Sequence, residues 1–407
     1  MHHSRRPQDR RAGPGLISLA SRLRDSGALT KAWERAFMLT DRAAFVPFHA
    51  WAGADDALPP RPVEFGTDAW RSAVCSDAEI VAQFDGGRAS WPDVGHRATA
   101  FAPKPSTVLR VLGSADLQPR HSVLVIGAGT GYAAALVGAH LGDESVTTVV
   151  ADVNARRTRS ALRATGHDRI AVVTGDGSAG APVRAPYDRI VATAGVAAGH
   201  VPAEWLRQTR PGGAIVTPWA PGFHCSGLLR LDVGDDGTAH GRIAADAVGP
   251  RLRHRPLPPG NAQQLAHLAE TDAAATESTT WADPREIGEN PNAVMAIGLH
   301  LPGVHLTVRA RTAHRWEVIL CDVATGSASI CYVAPESGRR RYHQVRQYGP
   351  RQLWEDAATA WRWWQRADRP DRQRYGVTVD HAGQRCWLDD PSNPLPTLFE
   401  PETGGLR

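Results

Sequence analysis

The sequence lacks any apolar run of the roughly 18–20 residues that a membrane-spanning helix requires. Its first residues are polar and rich in arginine, without the apolar centre of a secretory signal, so we expect residues 1–15 to form a disordered tail. Cysteine is also scarce, and the five cysteines include no Cys-x-x-Cys pair. A disulfide scaffold and a structural zinc site are therefore not expected, and a reducing cytoplasm is the predicted location.

Lysine is nearly absent, because only Lys31 and Lys104 contribute to the 46 lysine and arginine residues. Codon bias in a GC-rich genome is a simple explanation for this preference. The arginines are spread along the chain and the net charge is only +4, so no nucleic-acid partner is predicted. The 17 histidines form no His-Glu-x-x-His motif or His/Cys cluster, so no metal site is predicted either.

A length of 407 residues predicts two or three domains. Composition divides the chain into a tail (1–15), an N-terminal flank of helices and loops (16–105), an α/β core (106–250), a Pro- and Ala-rich linker (251–285) and a C-terminal α+β unit (286–407).

Alternating strand and helix patterns identify the core. Short apolar runs at Ser122–Ile126, Val146–Ala151 and Ile170–Thr174 are separated by the helical patterns Tyr132–Leu141 and Asn154–Thr165. This alternation predicts a parallel sheet with right-handed crossovers.

The C-terminal unit has a mixed pattern. Val294–Leu301 is predicted to be a strand, Pro350–Arg366 a helix, and Tyr375–Val379 with Gln384–Leu388 a hairpin. Tryptophans recur along one face of the predicted helix. This stripe is either part of the core or an aromatic surface that holds a peptide.

A glycine-rich turn provides the strongest local signal for a ligand. The segment VLVIGAGTGYAAAL, 123–136, leads from a buried strand through Gly127–Gly131 into a helix. Dinucleotide sites usually have the spacing G-x-G-x-x-G, whereas here the third glycine comes one residue early. This spacing favours S-adenosylmethionine, which has no pyrophosphate to place at the helix terminus. A nucleotide site and a degenerate fold that binds nothing are the alternatives.

Two carboxylates support this assignment. Asp152 follows the second strand, where it could accept hydrogen bonds from both ribose hydroxyls, and Asp176–Gly177 follows the third, beside the expected adenine. An N-cap is the alternative for Asp152, and packing on the sheet is the alternative for Tyr132. The predicted cofactor-binding residues are Gly127, Ala128, Gly129, Thr130, Gly131, Tyr132, Asp152, Val153, Asp176 and Gly177.

These motifs resemble those of the protein-L-isoaspartate O-methyltransferase family, from about Thr40 to Leu257. The resemblance also includes TDRAAFVP at 40–47, GDGSAGAPVRAPYDRIVATA at 175–194 and PAEWLRQTRPGGAIVTP at 202–218. It implies a Rossmann-like class I methyltransferase fold and methyl transfer from S-adenosylmethionine to a peptide carboxylate, whose ester then forms a succinimide. A carboxylate with a pKa of about 4 is already ionised at neutral pH, so catalysis is expected to depend on positioning.

One position departs from the family pattern. The resemblance implies a serine two residues before Pro105, where the hydroxyl would contact the substrate carboxylate, but this chain has Pro103. Proline offers neither a hydroxyl nor an N–H. Thr99, Ser106 or Thr107 is predicted to substitute for the serine, and Lys104 is predicted to pair with a carboxylate. Thr193 is predicted to line the methyl-transfer site at the end of the fourth strand.

The ending of the chain resembles extended members of the family from actinobacterial pathways for ribosomally made, modified peptides. This resemblance implies methylation of an aspartate as a step toward aspartimide or isoaspartate, with the C-terminal unit holding the peptide. Repair of isoaspartate in damaged proteins is the alternative enzymatic function. A catalytically weakened protein that binds S-adenosylmethionine or peptide is an alternative of another class.

Overall fold

The computed structural model describes nine segments of the chain. They are residues 13–53, 60–95, 98–127, 129–220, 227–246, 259–312, 315–333, 342–396 and 398–399. Within these segments, no helix is both long enough and apolar enough to cross a membrane.

In its described residues, the N-terminal flank contains three α-helices and a four-stranded sheet. Its elements are α1 Pro14–Asp25, α2 Lys31–Leu39, β1 His49–Ala52, β2 Arg61–Glu64, α3 Asp68–Val74, β3 Ile80–Phe84 and β4 Ala98–Ala102. The strand order is β2-β1-β3-β4, with all three pairings antiparallel. Strand β4 leads almost directly into the first core helix, so the flank lies next to the core.

The core alternates strands and helices as predicted. Its elements are α4 Pro105–Ser114, β5 Val123–Ile126, α5 Tyr132–Leu141, β6 Val146–Val150, α6 Asp152–Ala164, β7 Ala171–Thr174, β8 Tyr187–Ala192, β9 Val196–Ala197, α7 Ala203–Arg207, β10 Thr209–Ala220, β11 Gly227–Val233 and β12 Ala239–Asp246. Parallel pairings join β7, β6, β5, β8 and β10 in that order. Antiparallel pairings then add β11 and β12.

The part of the C-terminal unit that the structure describes contains four α-helices and two groups of strands. Its elements are α8 Pro259–Thr271, β13 Thr276–Thr280, α9 Pro284–Glu289, α10 Pro291–His300, β14 His305–Thr312, β15 Arg315–Asp322, β16 Ser327–Tyr332, β17 His343–Tyr348, α11 Leu353–Arg366, β18 Tyr375–Asp380 and β19 Gly383–Leu388. Five strands form an antiparallel sheet in the order β13-β17-β16-β15-β14.

The predicted boundaries differ from the structure at both ends of the C-terminal unit. Helix α8 and strand β13 lie within 251–285, which was predicted to be a linker. The predicted hairpin forms β18 and β19, but β18 pairs with β12, so both strands extend the core sheet. Pro14 and Gly15, predicted to be in a disordered tail, begin α1, while residues 1–12 lie outside the described residues.

The prediction of a strand at Val294–Leu301 is wrong, because helix α10 extends to His300 and Leu301 is its C-cap. The Asn290 side chain accepts hydrogen bonds from the N–H groups of Asn292 and Ala293, and Pro291 occupies the first turn. An Asn cap followed by proline is a helix-start signal that outweighs the apolar run.

The alternation of side chains along β5 explains how the layers pack. Leu124 and Ile126 face a core cluster that includes residues of α10 and α11, whereas Val123 and Val125 face a cluster with α1, α2, α4 and α5. Trp354 and Trp364 of α11 are 1% and 2% exposed. Those two members of the tryptophan stripe are therefore core residues.

Candidate active site

The glycine loop, Gly127 to Gly131, connects β5 to α5 with left-handed backbone at each glycine. Gly127 has φ +75°, Gly129 +55° and Gly131 +100°. A Cβ at Gly127 would lie 2.8 Å from the Ala194 Cβ, and one at Gly129 would collide with the Phe101 carbonyl. Neighbouring backbone therefore approaches the loop so closely that side chains are excluded. Ala128 lies outside the described residues.

Threonines hold this loop from two directions. The Thr193 hydroxyl, on a residue only 1% exposed, donates to the Gly127 carbonyl at 2.8 Å. The Thr158 hydroxyl of α6 donates to the Gly129 carbonyl at 3.2 Å. Thr130 is also 1% exposed, and its hydroxyl has no hydrogen-bond partner in the described part of the chain. Thr193 thus lies at the predicted strand end, whereas Thr158 was not predicted from the sequence.

The two predicted acids lie at the carboxyl ends of neighbouring parallel strands. Asp152 is the first residue of α6, exposed, directly after the Ala151 cap, so the N-cap alternative is wrong. Val153 beside it is 50% exposed. Asp176 follows β7 and accepts a hydrogen bond from the Ser178 N–H at 3.0 Å. Because β6 and β7 are adjacent, both carboxylates border the same edge of the sheet as the glycine loop.

Gly177 and Tyr132 are held by buried aromatic groups. The Trp205 indole donates to the Gly177 carbonyl at 2.8 Å, which fixes the turn after Asp176. Tyr132 is fully buried, with its ring 5.8 Å from that of Phe45. Burial raises the pKa of its phenol above the usual range. Tyr132, the first residue of α5, therefore packs against Phe45 of the flank.

Asp77 connects two of the predicted substrate residues. It accepts a hydrogen bond from the Ser106 backbone N–H at 2.8 Å, and its second oxygen lies 3.9 Å from the Lys104 ammonium. Lys104 directly precedes α4 and its side chain is about half exposed. The structure thus brings Lys104, Ser106 and Asp77 together next to buried Pro103.

Thr99 belongs to a different hydrogen-bond network. Its hydroxyl lies 2.9 Å from the Gln83 side-chain oxygen and accepts from the Gly86 N–H at 3.0 Å. These contacts lie between β4 and β3, within the flank sheet. The structure therefore does not join Thr99 to the Lys104 and Ser106 group through any of these bonds.

Arg42 is a buried cation that the sequence argument did not identify. It is 1% exposed, and its two terminal nitrogens donate to five backbone carbonyls. The acceptors are Val74 at 3.3 Å, Ser76 at 3.0 Å, Ala78 at 2.7 Å, Ala102 at 3.2 Å and Pro103 at 3.0 Å. Burial lowers the pKa of the guanidinium to about 10, still well above neutral pH. Arg42 therefore ties the end of β4 to the segment before β3.

Glu79 lies one residue before β3 and next to an acceptor of Arg42. In the antiparallel pair of β3 and β4, Ile80 lies opposite Ala102. One residue further along each chain, Glu79 therefore lies opposite Pro103. Burial raises the pKa of its carboxyl to about 7, and Arg42 partly opposes this shift. An acid that titrates near neutral pH thus lies beside the position where the resemblance implied a serine.

Comparison with known proteins supports the interpretation of these motifs. The family model for protein-L-isoaspartate(D-aspartate) O-methyltransferase (PCMT) matches residues 90–242. A protein-L-isoaspartate O-methyltransferase 2 from Polaromonas sp. is 35% identical over 149 residues, covering 37% of this chain and 68% of the relative. A protein-L-isoaspartate O-methyltransferase 1 from Cupriavidus necator is 30% identical over 209 residues, covering 51% and 78%.

Other matches define how far the similarity extends. A Methanopyrus kandleri protein-L-isoaspartate O-methyltransferase is 40% identical over 128 residues, 31% of this chain, and the match spans about half (55%) of that relative. A solved structure titled protein-L-isoaspartate O-methyltransferase superimposes with a TM-score of 0.50 and 17% identity, covering 92% of this chain and all of the other.

That structural match supports the Rossmann-like class I methyltransferase fold. The matching segment contains the glycine loop, Asp152, Asp176 and Thr193. Sequence similarity thus covers the part of the chain that builds the edge of the sheet described above. The chain belongs to the protein-L-isoaspartate(D-aspartate) O-methyltransferase family.

Proposed function

We propose that the protein is an S-adenosylmethionine-dependent carboxyl O-methyltransferase that acts on an isoaspartyl or aspartyl residue of a peptide or protein. One observation carries this proposal. The glycine loop has no room for a side chain at Gly127 or Gly129, and it lies at the same edge of the sheet as Asp152 and Asp176, which follow adjacent parallel strands. Family membership supplies the reaction class.

The described residues fit the cofactor. The glycine loop leaves backbone N–H groups accessible at the start of α5, where the amino-acid part of the ligand would bind. Asp152 would accept the ribose hydroxyls, and Asp176 with Gly177 would border the adenine. When bound, S-adenosylmethionine would supply an electrophilic methyl group on a sulfonium. The hydroxyl of Thr130, buried without a partner, offers a further polar contact beside the loop.

The chain itself would position the acceptor rather than activate it. A peptide carboxylate is ionised at neutral pH, so no strong general base is needed. Thr193 would keep the loop in place through the Gly127 carbonyl. Lys104 could pair with the acceptor carboxylate, since its ammonium is only loosely paired with Asp77 at 3.9 Å. Ser106 and Thr99 are proposed to support the acceptor site rather than replace the serine hydroxyl directly.

Mass spectrometry of a synthetic peptide with one isoaspartyl residue would test the proposed function. Incubation with S-adenosylmethionine should add one methyl group, and parallel incubation of the isomer with normal aspartate would show which of the two residues is the acceptor. Calorimetric binding of S-adenosylmethionine without methyl transfer to either peptide would favour the binding-protein alternative.

Pro103 favours a second candidate substrate. Because a buried proline replaces the serine implied at the acceptor site, substrate recognition is expected to differ from that of a general repair enzyme. We propose an aspartate in a ribosomally made, modified peptide as this alternative, with a methyl ester leading to aspartimide or isoaspartate. Methylation of a cyclised aspartyl peptide, but not of its linear isoaspartyl form, would support this alternative over repair.

A further inference from the structure

We propose that Gln384 is a positioning residue for the methyl acceptor. Its carboxamide holds the backbone of Val201 and thereby fixes the segment 194–201, which begins against the glycine loop at the edge of the sheet where an acceptor peptide would bind. This inference rests on the proposed function for the identity of the acceptor. It assigns a role in peptide binding to the hairpin of β18 and β19, which lies beyond the residues that the family model matches.

The first argument is the pair of hydrogen bonds between Gln384 and Val201. The Gln384 Nε2 donates to the Val201 carbonyl at 2.8 Å, and its Oε1 accepts from the Val201 N–H at 3.2 Å. One carboxamide therefore pairs both backbone groups of a residue, as a neighbouring β-strand would. Val201 is only 3% exposed, so replacing Gln384 would deprive a buried N–H and a buried carbonyl of a partner.

The second argument is the place where the segment 194–201 begins. It follows β8 directly after Thr193, whose hydroxyl donates to the Gly127 carbonyl. A Cβ at Gly127 would lie 3.0 Å from the Ala194 nitrogen, so the segment starts in contact with the glycine loop. Strands β5 and β8 are parallel neighbours, and ligands of such sheets bind outside the carboxyl ends of the strands. A peptide that presents its carboxylate to a methyl group held at the glycine loop would therefore pass beside this segment.

The third argument is that the segment is held at both ends, with a turn between them. Near its start, Val196 pairs with Trp219 of β10. At its other end, the Gln384 carboxamide provides the hold. In the turn, the His200 N–H donates to the Ala197 carbonyl at 3.1 Å, and His200 is exposed. Loss of the Gln384 side chain should therefore loosen the turn but leave the start of the segment in place, because β10 still pairs with it.

The fourth argument is the packing of the hairpin that carries Gln384. Four strands separate β19 from β8 in the core sheet, so the hairpin reaches the segment across a face of that sheet and not as its neighbouring strand. Val377 and Val379 of β18 belong to the same buried cluster as Val201 and Trp205. Strand pairing and these buried valines fix the hairpin backbone, so only the side chain of Gln384 must be ordered to form the two hydrogen bonds.

Calorimetry with an isoaspartyl peptide would test this inference without requiring turnover. The dissociation constant of the peptide would be measured with S-adenosylhomocysteine present. Gln384→Ala should raise it about threefold to tenfold, because both hydrogen bonds to the buried Val201 backbone are lost. The affinity for S-adenosylhomocysteine should match that of the wild type, since the glycine loop keeps its contacts. Hydrogen exchange, followed by mass spectrometry, should become faster across 194–201 in this variant.

Gln384→Glu separates hydrogen bonding from packing. The glutamate side chain has nearly the same shape, but at neutral pH it has no donor for the Val201 carbonyl, so this variant should lose as much peptide affinity as Gln384→Ala. Gln344→Ala, at an exposed position of β17, is the matched control and should bind the peptide as the wild type does.

Several outcomes would overturn the inference. They are unchanged peptide affinity or unchanged hydrogen exchange in Gln384→Ala, wild-type peptide affinity in Gln384→Glu, an equal loss of affinity for S-adenosylhomocysteine, and no peptide binding by the wild type. Peptide binding with the expected losses but without methyl transfer would instead reject only the proposed function.

Discussion

Replacing Glu79 with glutamine should change how stability depends on pH. The raised pKa means that the folded chain binds a proton that the unfolded chain releases between about pH 4.5 and about pH 7. Below pH 4.5 the Glu79 carboxyl is protonated in both states and does not lower the free energy of unfolding. As pH rises from about 4.5 through about 7, its ionisation lowers that free energy progressively. A pKa shift of one unit corresponds to about 1.4 kcal/mol. The shift from 4.5 to about 7 therefore sets an upper limit of about 3 kcal/mol on the stability that is lost when Glu79 ionises. Since part of the side chain remains in contact with water, about 1–2 kcal/mol is expected.

Urea denaturation at pH 5 and pH 8 would measure this effect. The free energy of unfolding of Glu79→Gln minus that of the wild type should be about 1–2 kcal/mol larger at pH 8 than at pH 5, because only the wild type loses stability as this carboxyl ionises. Glu289→Gln, at an exposed position, is the control and should show no such difference. An equal effect of Glu79→Gln at both pH values would refute the claim that burial raises this pKa.

The remaining predictions concern the proposed cofactor site, and calorimetry with S-adenosylmethionine measures each of them. Asp152→Ala and Asp176→Ala should each weaken binding about tenfold. Asp168→Ala, at an exposed position, is the control and should bind as the wild type does. Unchanged affinity in both Asp152→Ala and Asp176→Ala would reject the roles assigned to these carboxylates. Thr193→Val removes the hydroxyl that donates to the Gly127 carbonyl and should weaken binding about fivefold. Thr193→Ser keeps a hydroxyl at this position and should bind with wild-type affinity. Gly129→Ala introduces a Cβ that collides with backbone at positive φ and should lower the affinity more than tenfold; wild-type binding would show that the loop adapts.

Local sequence patterns were sufficient to predict the edge of the sheet at which we propose that the cofactor binds. The four residues Val123–Ile126 are all buried and central in a parallel sheet, as their uninterrupted apolar run predicts. The positions of Asp152 and Asp176 follow from that topology, because parallel strands end at a common edge. The α/β core could therefore be predicted before any tertiary contact was known.

The features that could not be predicted depend on tertiary contacts. Nothing local to Arg42 indicates that five carbonyls from two distant segments surround it, nor that Glu79 becomes partly buried next to one of those acceptors, Ala78. The pairing of β18 with β12 joins segments more than 100 residues apart, so the local hairpin pattern indicated the strands but not their sheet. By contrast, the Asn290–Pro291 helix start was visible in the sequence.

The position of β18 has a mechanical consequence. The chain leaves the core sheet after β12, builds the five-stranded sheet, and returns to the edge of the core sheet at β18. The five-stranded sheet is thus an insertion anchored at both ends to neighbouring strands, rather than a unit attached through one connection. Two adjacent anchors restrict hinge rotation, so the insertion is expected to move with the core as a single body. Removing β18 and β19 would free one anchor and expose the ladder of β12, creating an edge that favours aggregation.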